Sequence, residues 1–408
     1  MILTGPALLE RFQALDDFLL AHQALWRPRP FHHRRLSWEA DHPELAAWLR
    51  QRTLDDAEAA HNHPEHLEAP TPFPQLAARA LELGSVGELP ERPLEMPPAR
   101  FASDVPGRKW QQIEAFSRHL VFGQPPRHWL DWCSGKGHLG HLLAWQGGEL
   151  TCLEHDQALV EAGQQLSQRR HLPARHLRQD VLADDTASRV EASHTPVALH
   201  ACGDLHVRLL QLASATGCPQ LAIAPCCYNR TAAPDYRPLS AATRASALRL
   251  SRDDLGLPLS ETITAGARVR RQRDASMARR LAFDLLQREL RGQDDYLPTP
   301  SLPSAWLHKD FRTYCRDLAA LKDLPEPSER DWPALEAKGW QRLAEVRNLE
   351  LVRALFRRPL ELWLLLDRAL YLVEQGYRVR LGRFCPSHLT PRNLLLLAER
   401  EVAHSSCG

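Results

Sequence analysis

The segment HWLDWCSGKGHLGHLLAW (128–145) decides how this chain is read. HWLDW (128–132) has the short apolar character of a strand, and HLGHLLAW (138–145) that of a helix. Between and into them, DWCSGKGHLG (131–140) places Gly135, Gly137 and Gly140. Glycines in a strand-to-helix turn let the backbone approach a ligand closely. The amides at the helix start favour an anionic group. An ordinary tight turn has the same composition, so the turn gains meaning only from its neighbours. Its three glycines also satisfy G-x-G-x-x-G, the spacing of dinucleotide-binding turns. That keeps an NAD(P)-dependent oxidoreductase among the alternatives.

Downstream, strands and helices alternate. ELTCLE (149–154), ARHLRQDV (174–181), PVALHAC (196–202) and LAIAPCCY (221–228) read as strands, with helices ALVEAGQQLSQRR (158–170) and HVRLLQLA (206–213) between them. This alternation predicts a parallel sheet with right-handed crossovers. It stops after Tyr228 and returns with a helix ELWLLLDRALYLVEQ (361–375) and two strands, GYRVRLGRFC (376–385) and RNLLLLAER (392–400). So short a link suits an antiparallel hairpin and not a parallel pair.

Upstream, Trp110, Ile113, Phe116 and Leu120 predict an amphipathic helix, and Leu8, Leu9, Phe12, Leu15, Phe18 and Leu19 recur at helical spacing. Residues 61–100 are rich in proline and histidine and read as a linker with short helices. The expected organisation is a helical N-terminal region and linker, 1–103, followed by one α/β domain, 104–402. A helical insertion interrupts that domain at about 230–357.

Composition sets the class. The 408 residues are 44% hydrophobic and 25% charged, which is globular and large enough for a sizeable core. A net charge of +1 advertises no globally basic surface. No run approaches the roughly 18 apolar residues of a membrane span. Nine scattered cysteines and a start with acids inside its apolar stretch predict a cytoplasmic protein with its cysteines as thiols.

Several residues carry chemistry in this pattern. Glu154 ends the second strand, where an acid can accept both ribose hydroxyls of an adenosine; this supports a nucleoside without choosing the cofactor. Asp180 ends the third strand, either beside an adenine or as a helix cap. His200, Cys202, Gly203 and Asp204 end the fourth strand, on the side where open α/β sheets bind ligands. Tyr228 ends the fifth and either stacks on a substrate, plugs the pocket or packs in the core.

DWCSGKGHLG (131–140), LHACGDL (199–205), APCCYN (224–229) and TPRN (390–393) together resemble class I methyltransferases. More closely, they resemble the methyltransferase domain also found in the glutathione S-transferase C-terminal domain-containing protein and related methyltransferase-like proteins. The resemblance covers most of the α/β domain but not the first hundred residues or most of the insertion. It implies a Rossmann-like sheet of seven strands, the last two forming the hairpin, with S-adenosyl-L-methionine (SAM) bound over the carboxyl ends of the first strands. By position, Asp131, Gly135 and Gly137 would hold the methionine moiety, with Cys133 and Ser134 in the same turn. Glu154 would hold the ribose, Asp180 would border the adenine, and His200 would face the donor. Cys133 stands where class I turns usually have glycine, a departure that the nearer family shares.

The expected reaction is direct displacement at the sulfonium methyl, driven by proximity and desolvation. Asp204 or His200 would act as base if the acceptor needs one, and Pro225-Cys226-Cys227-Tyr228 would take the place of the acceptor-holding motif of amino-methylating enzymes. A macromolecular acceptor is expected, RNA ahead of protein. Eight arginines in 267–291, among them Arg268, Arg270, Arg271 and Arg273, would contact phosphates or else form a solvated face with acids such as Asp274 and Glu289. A non-catalytic binding protein on the same fold is the third alternative. No metal is expected. Cys133, Cys202, Cys226 and Cys227 fall at strand ends, where clustered thiolates can bind zinc or an iron–sulfur centre, but without C-x-x-C spacing they read rather as small hydrophobes. His61, His63 and His66 read as a loose histidine-rich loop.

Overall fold

The computed structural model describes residues 1–103, 105–260 and 266–400. The expected domain limits at 104 and 402 fall outside them. The chain forms two compact units, one of Met1–Leu20, Leu83–Leu259 and Arg358–Gly408, the other of Ala21–Glu82 and Ser260–Arg357.

The first unit is built on a sheet of eight strands: β1 (Leu3–Thr4), β2 (His128–Trp132), β3 (Glu149–Glu154), β4 (Ala174–Arg178), β5 (His194–Leu199), β6 (Gln220–Ala224), β7 (Tyr377–Arg383) and β8 (Leu394–Arg400). Their spatial order is β1-β7-β8-β6-β5-β2-β3-β4. β2 to β6 pair in parallel, with Asp131 opposite both Cys152 and Val197 and Leu199 opposite Ala224. β8 lies between β6 and β7 and runs antiparallel to both. This is the Rossmann-like α/β arrangement of the methyltransferase fold, with the terminal hairpin that the sequence predicts.

β1 is an eighth strand that the sequence did not announce, pairing antiparallel with β7. The helix that follows it, Pro6–Ala21, stacks Phe12 on Trp363 at 5.4 Å, and Asp16 accepts the Trp363 indole proton at 2.8 Å. The first twenty residues thus complete the sheet unit.

β2 and β6 are buried along their whole length, as a central strand covered on both faces must be. Edge strand β4 has one buried residue, His176, among half-buried and exposed ones. One core combines Phe116, Trp129, Leu142, Val197, Ala222, Phe384 and Leu395. Several strands end earlier than their apolar runs. β5 stops at Leu199 because His200 takes a left-handed φ of 69°, and β6 stops at Ala224 because Pro225 offers no amide. β4 likewise ends at Arg178 and not at Val181.

The second unit is helical. Helices Ala267–Arg291 and Trp332–Ala354 pack through Ala278, Leu281, Leu343 and Val346. Helix Phe311–Leu321 adds Phe311, Tyr314 and Leu318 to a second cluster with Phe283 and Trp332. Buried Asn348 donates to the carbonyls of Arg52 and Thr53, fixing the start of helix Leu54–Ala60. No helix among the described residues is long and apolar enough to cross a membrane.

Candidate active site at the carboxyl strand ends

The turn after β2 is fastened on three sides. Asp131, buried within β2, accepts the Gly140 amide at 2.9 Å and so ties the strand to the helix His138–Trp145. Burial pushes its carboxyl up to about 7, against the pull of that amide and of Lys109. Ser134 donates its amide to the Leu153 carbonyl at 3.0 Å, crossing to β3. Glu154, half-buried at the end of β3, accepts the Gly135 amide at 2.8 Å on one carboxylate oxygen and the Asp156 amide at 3.0 Å on the other. Cys133 lies in the same turn with φ 56°, and burial holds it as a neutral thiol at about 12.

Gly135 has φ 58°, a backbone conformation that side chains disfavour, and no atom lies within 4 Å of where its Cβ would stand. The turn therefore presents a side-chain-free surface beside Glu154. Gly137 opens the helix and packs against His176. Asp180 is exposed at the β4 end and accepts the Leu182 amide at 3.0 Å.

The fourth strand end is organised by a residue that the sequence reading passed over. Gln112, on helix Gly107–Arg118, donates its amide to the Leu389 carbonyl at 3.1 Å, which orients its oxygen toward His200 Nε2 at 2.7 Å. His200 therefore carries its proton on Nε2 and keeps Nδ1 as an acceptor. Burial, with Lys109 and Arg392 nearby, lowers its pKa to about 4 and holds it neutral. Asp204 opens helix Asp204–Thr216 and accepts the Ala232 amide at 2.7 Å. Trp132, at the end of β2, donates its indole proton to the Leu205 carbonyl at 2.9 Å, drawing the two strand ends together.

Tyr228 is turned into the core, 1% exposed. Its ring packs edge-on to His206 at 6.0 Å and under the Arg368 guanidinium at 5.2 Å, and its buried hydroxyl has no protein partner. Arg368 donates to His206 Nε2 and to the Tyr236 hydroxyl, both at 2.8 Å, and Tyr236 donates to Asp367. In TPRN, Asn393 donates to the Cys385 carbonyl at 2.7 Å and fixes the hairpin, while Arg392 supplies charge near His200 and Cys227.

Cys202, Cys226 and Cys227 come together, their sulfurs all within 4.8 Å of one another. Cys133 is not in that group. Cys202 is the most readily ionised of the three because Cys226, and then Cys227, hydrogen-bond to it.

In the helical unit, most of the 267–291 arginines serve the protein itself. Arg273 pairs with Asp274 and Glu58, Arg279 with Glu336, Arg288 with Asp284 and Asp294, and Arg291 with Asp295. Arg268 and Arg271 are exposed. A cleft of about 1470 Å³ in this unit is lined by cations such as Arg34, Arg35 and Lys338 together with acids such as Asp295 and Glu345.

Residues 108–234 match the family model of a methyltransferase domain. They hold β2 to β6 and the residues at the carboxyl ends of those strands. Residues 108–234 are therefore similar to a methyltransferase domain, the kind of domain for which SAM is the expected methyl donor. Similar solved structures include the Pyrococcus abyssi tRNA (uracil-54, C5)-methyltransferase in complex with S-adenosyl-L-homocysteine, at 19% identity over 28% of each chain with a TM-score of 0.24. A SAM-dependent methyltransferase from Agrobacterium tumefaciens matches at 13% identity over 29% of this chain and 44% of that one, with a TM-score of 0.24. The 16S rRNA methylase RmtB matches at 16% identity over 52% and 82%, with a TM-score of 0.20. The first two are spanned over less than half their length.

The residues present fit this cofactor. Each Glu154 oxygen uses one lone pair on a backbone amide and keeps another for a ligand hydroxyl. The open side of Gly135 admits a ligand where any side chain would intrude.

Proposed function

We propose that the protein transfers a methyl group from SAM to a macromolecular acceptor, with RNA ahead of protein. The observation that carries the donor half is the pairing of Glu154 with the side-chain-free turn at Gly135. In this reading Glu154 binds the ribose hydroxyls, Asp180 borders the adenine, and the turn Asp131–Gly137, with Cys133 and Ser134, holds the methionine part. The closer likeness to the domain of the glutathione S-transferase C-terminal domain-containing protein, carried by the four sequence motifs, belongs to the same reading.

Bound SAM supplies a sulfonium carbon already activated for displacement. The chain's task is to align the acceptor and exclude water. His200, neutral and with Nδ1 free to accept, orients an acceptor N–H or O–H at the strand end. Its low basicity makes it a positioning group at neutral pH, which leaves Asp204 as the candidate base if the acceptor needs one. Tyr228 supports this edge from within the core, against His206 and Arg368. Exposed Arg268 and Arg271 in the helical unit support RNA as the acceptor.

Calorimetric titration with SAM, S-adenosyl-L-homocysteine and NADH, on the wild type and on Gly135→Arg, tests the donor site. Saturable binding of the first two, lost in the variant, is the expected result; binding of NADH alone would overturn it. Transfer of labelled methyl to RNA and protein fractions then tests the acceptor. Label confined to protein would replace the RNA reading.

A further inference from the structure

The carboxyl ends of β5 and β6 bring together three thiols for which methyl transfer has no evident use. The strands are parallel neighbours in register at Leu199 and Ala224. Cys202 lies three residues beyond the first and Cys226 and Cys227 two and three beyond the second, in the turns that leave these two neighbouring strand ends. Their sulfurs all lie within 4.8 Å, and Cys202 and Cys226 are 3.3 Å apart.

A disulfide needs sulfurs at about 2.0 Å. A tetrahedral zinc centre with Zn–S of about 2.3 Å needs them about 3.8 Å apart. The observed spacing is too long for the first and close to the second. Cys226 is buried while Cys202 and Cys227 are half-buried, so the trio has a closed floor and an open side. Arg230 stands near Cys202 and Arg392 near Cys227, cations that offset the surplus negative charge of three thiolates around a divalent ion.

We propose that Cys202, Cys226 and Cys227 bind a zinc ion. Binding displaces the three thiol protons to solvent and forms three Zn–S bonds. The fourth position stays open on the half-exposed side, to be taken by water or by a donor atom of a substrate; three protein ligands with one open position are the usual arrangement of a zinc centre that acts as a Lewis acid. This site stands on the thiol geometry alone and does not depend on the SAM reading.

The test is the metal content of the full-length protein, produced in zinc-supplemented medium and kept reduced. The expected result is one zinc per chain, retained in Cys315→Ser, whose thiol lies in the helical unit, and lost in Cys202→Ser and in Cys227→Ser. Cobalt added to the stripped protein should give thiolate-to-cobalt charge-transfer bands and the visible bands of a tetrahedral ion. Circular dichroism reports whether each variant folds; if Cys202→Ser does not, half-exposed Cys227 decides. A wild type that takes up neither metal while all three thiols titrate as free overturns the proposal. So does a Cys202–Cys226 disulfide in the reduced preparation, or zinc retained by the Cys202→Ser/Cys227→Ser double variant.

Discussion

Gly203 and Arg230 meet so closely that a Cβ on Gly203 would stand 1.8 Å from the Arg230 carbonyl oxygen. The same carbonyl accepts the Asp204 amide at 3.1 Å, and Asp204 in turn accepts the Ala232 amide. The turn after β5 and the segment after β6 are thus locked together at a position where only glycine fits, with φ 54° and ψ −122°. Gly203→Ala must push the two segments apart, since the opposing atom is backbone. The expected outcome is a destabilisation of at least about 2 kcal/mol, read from urea unfolding, and weaker SAM binding in the fraction that folds. An unchanged unfolding midpoint would contradict this contact.

Glu154 joins two backbone amides to the proposed ribose site, so its substitutions should separate architecture from binding. Glu154→Ala leaves the Gly135 and Asp156 amides without their acceptor and removes the hydroxyl acceptors. Glu154→Gln keeps one oxygen but turns an amide group toward a position that needs an acceptor. Titration calorimetry should show SAM affinity falling about tenfold in Glu154→Gln and about a hundredfold or more in Glu154→Ala. Equal affinity in all three proteins would remove Glu154 from the site.

The sequence made the sheet legible where burial is two-sided. β2 and β3 are short apolar runs closed by a glycine turn and a charged residue, and their limits are those expected. β1 was invisible because two residues carry no period, and helical spacing begins at once behind them. The partnership of 21–82 with 260–357 was equally hidden, since it rests on contacts such as Asn348 with Arg52 and Thr53, far apart in the chain. The arginines of 267–291 read as a candidate phosphate surface because their partners Glu58 and Glu336 lie outside the helix. Gln112 escaped notice as one polar residue on an amphipathic helix; only the fold brings it to His200.

That contact predicts how His200 titrates. Gln112→Glu would set a carboxylate beside the imidazole and favour its protonated form, raising its pKa from about 4. Gln112→Leu would leave the Nε2 proton buried without an acceptor, at a cost of about 1–3 kcal/mol. The His200 ring proton, followed by NMR across pH 3–8, should titrate higher in Gln112→Glu than in the wild type. The same midpoint in both would show that Gln112 does not control His200.

The sheet unit also stores a dependence on acid. His141 and His176 face each other at 3.2 Å under helix Gln157–Arg169, with Ser167 bridging them at 2.6 and 2.8 Å. Arg170 donates to His141 Nδ1 at 2.8 Å. Arginine only donates, so His141 must keep its proton on Nε2 and hand it to Ser167 or His176. His141 cannot accept a second proton without breaking the bond from Arg170, and burial holds His141 at about 2 and His176 at about 4. His194, against His128, is likewise held at about 4. In the unfolded chain these histidines bind protons near 6.5, so below that pH the unfolded state carries more protons than the folded one. Their contribution is complete above pH 6.5 and is lost as pH falls toward 4, at no more than about 1.4 kcal/mol per pH unit for each ring. Urea unfolding at pH 7.5, 6, 5 and 4.5 should show stability dropping through that series, and His176→Gln should flatten the slope. A stability unchanged between pH 7.5 and 4.5 would mean that the rings protonate without disturbing the fold.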